Sequence, residues 1–181
     1  MSDTTGEAEP IRLWHLAVEG FNDRLRLVET QQWDLPTPCE GWTVRDLFEH
    51  VQWAQRRYSE ILGYELEPAD DWPALEAAVA TALVSDDSLL IATIIHPVVG
   101  EVPKLLALSI MVNDLVGHTW DLARALGVDD TLSPELVDAS YQLLLQLGDA
   151  IRDPKWYGDA VDVPSGSSAQ DRYVALLGRK P

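Results

Sequence analysis

An all-α fold, an antiparallel bundle of four long helices with an additional short helix and loops, is what this sequence predicts. Three observations carry the prediction. Apolar residues recur at alternating spacings of three and four in several segments, the signature of one buried helix face. Helix start and stop signals fall at the ends of those segments. Only one stretch, Leu89 to Val102, is rich in β-branched residues and offers a strand, a hairpin or an extended connector instead.

The first helix carries the stripe Ile11, Trp14, Val18, Phe21, Leu25 and Val28. Gln31 to Trp42 is a loop, because Pro36, Pro38 and Gly41 fall close together there. Thr43 is an N-cap, with Asp46 three residues on in the place of a capping box. The second helix runs from there to about Leu62 and buries Val44, Leu47, Phe48, Val51 and Tyr58. Asp71 followed by Pro73 starts a third, alanine-rich helix that ends near Ser85. Pro103 opens a fourth, in which Leu105, Leu108, Val112, Leu115, Thr119, Leu122 and Leu126 keep the same rhythm until Gly127 stops it. Ser133, Pro134 and Glu135 read as cap, first-turn proline and first-turn acid of a fifth helix ending before Pro154. Lys155 to Ser168 is mostly loop, and a short helix, Gln170 to Leu177, closes at Gly178.

The 181 residues fit a single domain, residues 1–181, with residues 1–8 as a flexible tail. Hydrophobic residues are 46% and charged residues 24%, as in ordinary globular chains. No apolar run reaches the roughly 18 residues that span a bilayer, so no membrane partner is expected. The acidic N-terminus lacks a signal peptide's basic and apolar regions, and the single cysteine suits a reducing compartment; both predict a cytoplasmic protein. Thirty acidic against thirteen basic residues give a net charge of −17. Such a surface repels phosphate backbones and argues against nucleic acid as a partner. A solvated acidic surface is its plainer meaning.

On the fourth helix Asp114 and His118 stand at i and i+4, one above the other. They lie roughly 120–160° from the middle of the Val112 stripe, at the flank of the buried face. His50 holds a similar place beside Val44, Leu47 and Val51 on the second helix. Antiparallel packing would aim His50, Asp114 and His118 at one point. Two imidazoles and a carboxylate suit a divalent ion such as Zn²⁺, Ni²⁺ or Fe²⁺ and leave a coordination position open. The spacing is equally that of a surface ion pair, and a flanking histidine is often structural. Cys39, in a proline-flanked loop, reads as a small apolar residue rather than a ligand. His15 lies beside Trp14 at the core edge, and His96 reads as a loop residue before Pro97. No phosphate loop, paired-cysteine motif or nucleophile elbow is present.

Three runs, WDLPTPCEGWTVRDLFEHV from Trp33, DLVGHTWDLARALG from Asp114 and the ending QDRYVALLGRKP, resemble the mycothiol-dependent maleylpyruvate isomerase type of the DinB-like superfamily. The likeness is to its short actinobacterial metal-binding members and extends from Trp33 to Pro181. It implies a DinB-like bundle with a divalent metal, Zn²⁺ or Ni²⁺, held by His50, Asp114 and His118. It also implies a low-molecular-weight thiol such as mycothiol as cofactor and a small electrophilic substrate. Thiol addition followed by elimination would isomerise a double bond; addition alone would conjugate the thiol. Trp42, Trp53 and Trp120 are expected as pocket walls. Asp114 stands where the family's isomerase carries a glutamate, and the chain is too short for that enzyme's extra C-terminal domain, so both features point away from maleylpyruvate isomerisation itself. Two further readings stay open. One is a non-catalytic divalent-metal-binding or interaction module, for which a homodimer is natural; the other is a pathway-specific isomerase or cyclase independent of metal and thiol.

Overall fold

The computed structural model describes residues 8–97, 100–152 and 157–181. Those residues form α1 (Glu9–Leu25), α2 (Val44–Leu62), α3 (Trp72–Val84), β1 (Thr93–His96), β2 (Gly100–Pro103), α4 (Lys104–Leu126), α5 (Pro134–Leu147) and α6 (Ala169–Leu176), with single 3-10 turns at Thr30–Gln32 and Gly148–Ile151. The expected tail, apart from Ala8, and Trp156 lie outside the described residues.

Local chemistry explains most of the boundaries. The Thr43 hydroxyl accepts from the Asp46 amide at 3.2 Å, and the Asp46 carboxylate accepts from the Thr43 amide at 2.8 Å. That reciprocal box opens α2 as its sequence predicts. Asp71 caps α3 by accepting from the Ala74 amide at 2.9 Å, and Ser168 with Asp171 forms a second capping box on α6. One expectation needs correction. The fold is mostly helical rather than all-α, because Thr93–His96 and Gly100–Pro103 pair as two antiparallel strands, with Thr93 opposite Pro103 and His96 opposite Gly100. Their β-branched residues favour the extended backbone. Pro103 both ends β2 and is the N-cap of α4, which begins at Lys104, so it opens the fourth helix as expected. As expected, Ser133, Pro134 and Glu135 open α5, which ends before Pro154, at Leu147, although Ser133 makes no side-chain cap bond.

The central element is α4, which packs against α1, α2 and α5. Nearly every residue from Ala107 to Ala123 is buried, so the helix is enclosed on all sides rather than along one stripe. Trp14 and Phe21 of α1, Leu47 of α2 and Tyr173 of α6 join Leu108, Met111 and Leu115 in the core. The Trp14 indole donates to the Gln55 side-chain oxygen at 2.9 Å, tying α1 to α2 inside that core. The two helices α2 and α4 run antiparallel. Trp42, ahead of α2, meets His118 late in α4; His50 meets Asp114; and Tyr58, near the end of α2, meets His96 ahead of α4. No described helix is long and apolar enough to cross a membrane.

Leu115 is fully buried where α4 is most enclosed. Leu115→Ala is expected to cost about 2–5 kcal/mol, read as a lower urea midpoint with an unchanged slope. A loss under about 1 kcal/mol would show that the surroundings collapse onto the gap.

Candidate metal centre

The antiparallel pairing of α2 with α4 brings the three expected ligands together. His50 Nε2 lies 3.4 Å from Asp114 Oδ1, and His118 Nε2 lies 3.6 Å from the same oxygen. One donor atom from each of the three lies within 4.8 Å of the others. The imidazole centroids are 4.8 Å apart with planes at 72°, so the rings meet edge to face and both present a nitrogen to the carboxylate. These separations are long for direct hydrogen bonds. They match the roughly 3.3 Å expected between neighbouring donors placed 2.0–2.1 Å from a tetrahedral ion. Among the described residues, Asp114 Oδ2 is buried with no hydrogen-bond partner, an unmet demand that a cation would answer. The donor set therefore fits a divalent ion.

Charge follows from burial. Burial alone would raise the Asp114 carboxyl, but the charge on His118 and the close approach of both imidazoles outweigh it and hold the group well below the usual range. The reverse holds for His118: burial opposes its charge, and Asp114 and Asp121 overcome that and raise it well above the ordinary imidazole value. Burial and the nearby Asp114 charge push the hydroxyls of Tyr58 and Tyr157 upward, which keeps both protonated.

The other nitrogen of His118 faces a second set of groups. His118 Nδ1 lies 3.0 Å from Asp121 Oδ2, and the Cys39 thiol donates to that oxygen at 3.2 Å. Arg179 grips Asp121 through Nη2 at 2.7 Å and Nε at 3.1 Å. Cys39, His118 and Asp121 form another cluster of metal-ligand type, but the Arg179 guanidinium already occupies both Asp121 oxygens. A cation would have to displace it, so the His50, Asp114 and His118 group is the better candidate.

Aromatic rings enclose the front of the site. Trp42 stacks on His118 with centroids 5.8 Å apart and planes at 22°, and its centroid lies 4.8 Å from that of His50. Trp53 stands 5.7 Å from His50 on the open side, 49% exposed. Trp120 lies beneath the Arg124 guanidinium at 5.1 Å. All three tryptophans line one cavity of about 1060 Å³ that also takes in the three candidate ligands, Tyr58 and Tyr157. Cys39 lines it too, half-buried beside the site rather than in an unconnected loop. His96 is no loop residue: it ends β1, is buried, and stacks on Tyr58 at 6.0 Å. His15 stays beside Trp14.

Sequence reasoning missed Asp121 and Arg179. Asp121 stands three residues after His118, the spacing that lets two side chains meet on a helix. Arg179 belongs to the terminal run, where nothing local points to a partner 58 residues away.

A mostly helical chain with a histidine–carboxylate cluster facing an aromatic-walled cavity is the class of protein these features define. Residues 14–89 match the mycothiol maleylpyruvate isomerase N-terminal domain family. Two uncharacterized proteins of Mycobacterium tuberculosis, Rv0738 of strain ATCC 25618 / H37Rv and MT0763 of strain CDC 1551 / Oshkosh, are each 31% identical over 179 residues, spanning 94% of this chain and 98% of theirs. The chain belongs to that family. No solved structure matches it with comparable significance. The match includes His50, while Asp114 and His118 lie beyond it.

The opposed shifts set a pH window for the metal-free protein. Asp114 and Asp121 are held below the ordinary 3.8, so they stabilise above that value and lose the effect as pH falls through their folded-state values. His118 is held above 6.5, so its contribution is complete below 6.5 and is lost as pH rises through its folded-state value. The Tm of metal-free protein should therefore fall as pH is raised above about 6.5, and His118→Gln should flatten that alkaline limb. Identical limbs in both proteins would exclude His118 as the source. Divalent-ion binding should strengthen over the same rise in pH, because His118 must release a proton to bind.

Proposed function

We propose that this protein is a metal-dependent enzyme with a single DinB-like helical-bundle domain. It uses a low-molecular-weight thiol of the mycothiol type for transfer to, or isomerisation of, a small electrophilic substrate. The observation that carries the proposal is the convergence of His50, Asp114 and His118 at the wall of the large cavity, with one Asp114 oxygen buried and unanswered. Family membership supports a thiol as the partner.

The two imidazoles and the carboxylate would hold the ion, and their N₂O composition favours Zn²⁺ or Ni²⁺. When bound, such an ion supplies the positive charge that lowers a thiol's pKa and keeps the sulfur beside the substrate. One carboxylate against a divalent charge leaves the site formally +1, which favours an anionic sulfur over a neutral ligand. Trp42, Trp53 and Trp120 shape the space and shield it from water. The protonated hydroxyls of Tyr58 and Tyr157 are the donors available to an oxygen of the substrate. The cytoplasm, where thiols stay reduced, is the proposed compartment.

Purified protein is expected to hold about one divalent ion per chain by elemental analysis, and His118→Ala to lose it. Equal metal content in the two would remove His118 from the site. Cys39→Ser should keep the metal, since the proposed ligand set does not need a thiolate. Calorimetric titration with mycothiol should show binding to metal-loaded protein that weakens sharply in metal-free protein. Equal affinity in both, or none, would favour a non-catalytic metal-binding module.

A further inference from the structure

Asp121 is fully buried on α4, one turn after His118. A carboxylate in that position is stable only with a close positive charge or several donors. Arg179 provides the charge, and its two-pronged contact, Nη2 to Oδ2 and Nε to Oδ1, fixes the plane of the carboxylate as well as its place. The oxygen held at 2.7 Å by Arg179 is the same one that lies 3.0 Å from His118 Nδ1. In the neutral ring, a hydrogen bond from Nδ1–H to that oxygen keeps the remaining proton on Nδ1 and leaves the Nε2 lone pair on the side of Asp114 and His50, available to an ion.

The route of the chain makes this contact possible. Gly178 takes φ +85, and a Cβ there would lie 3.1 Å from both the Asp159 carbonyl oxygen and the Gly158 Cα. Only glycine allows the turn that carries the chain from the end of α6 back toward α4. Arg179 is then held by its own amide on the Val174 carbonyl at 3.0 Å and by Nη1 on the Leu177 carbonyl at 2.9 Å.

We infer that Arg179 is a positioning residue of the metal centre: by clamping Asp121 it orients His118, so that the last residues of the chain control the affinity of a site built on α2 and α4. The inference rests on the metal-site reading above. A buried Arg–Asp pair could equally do no more than fasten the chain's end, and the two roles predict different results.

The test uses Co²⁺ titrated into metal-free, full-length protein and followed by visible absorption. The variants are Arg179→Ala, Arg179→Lys and His50→Ala, with unfolding of each metal-free protein measured alongside. Arg179→Ala is expected to weaken Co²⁺ binding roughly 10–100-fold and to change the absorption band of the Co²⁺-saturated protein. Arg179→Lys keeps the charge but loses the second prong, so its affinity should fall between wild type and Arg179→Ala, with the band still displaced. A fastening role alone would lower the melting temperature and leave the saturated spectrum and affinity as in wild type; that result in Arg179→Ala overturns the inference. Should Arg179→Ala fail to fold, wild-type affinity and spectrum in Arg179→Lys overturn it instead. Failure of the metal-site reading has a separate signature: wild-type protein that takes up no Co²⁺, or His50→Ala that binds it as well as wild type.

Discussion

Asp114 and Asp121 sit on a helix that the core encloses, and each must find positive charge or hydrogen-bond donors to remain ionised there. Much of the site's arrangement answers that demand. Asp114 meets two imidazoles, and Asp121 meets a third contact to one of them together with a guanidinium. His118 stands between the two carboxylates, with Nε2 toward Asp114 and Nδ1 toward Asp121. It joins the open side of the site to the closed side. The closed side is satisfied by protein alone, while the open side retains an oxygen without a partner. That asymmetry makes the open cluster the better candidate for a cation.

The rest of the fold delivers partners to α4. From α2 comes His50, and the loop ahead of α2 supplies Trp42 as a lid on both rings and Cys39 as a neighbour of Asp121. Strand β1 contributes His96, which packs on Tyr58 farther along the same cavity. After α6 the chain returns with Arg179. Elements far apart in sequence thus meet around about two turns of a single helix, from Asp114 to Asp121.

The acidic composition has little to do with this site. Among the described residues lining the cavity, Glu40 and Asp114 are acidic, whereas Arg57, Arg124, Arg179 and Lys180 are basic. The net charge of −17 therefore belongs to the outer surface. It bears on solubility and long-range repulsion rather than on what enters the cavity.

Local signals in the sequence marked the helix starts at Thr43 and Asp71, the stops at Gly127 and Gly178, and the flanking places of His50, Asp114 and His118 on their own helices. Each depends on contacts within one turn, or on a periodicity that puts side chains on a shared face. The sequence also marked Leu89 to Val102 as the place where helix gives way, without choosing paired strands over a connector, because cross-strand pairing is not a property of either strand alone. Only the tertiary structure decided that α4 is enclosed on every side, that α5 stops at Leu147, that Cys39 borders the site, and that Asp121 is held by Arg179. The last is the clearest case. A carboxylate three residues from a histidine is legible in the chain, but its burial and its partner 58 positions away depend on how α4 and the chain's end pack together, and no local pattern encodes that distance.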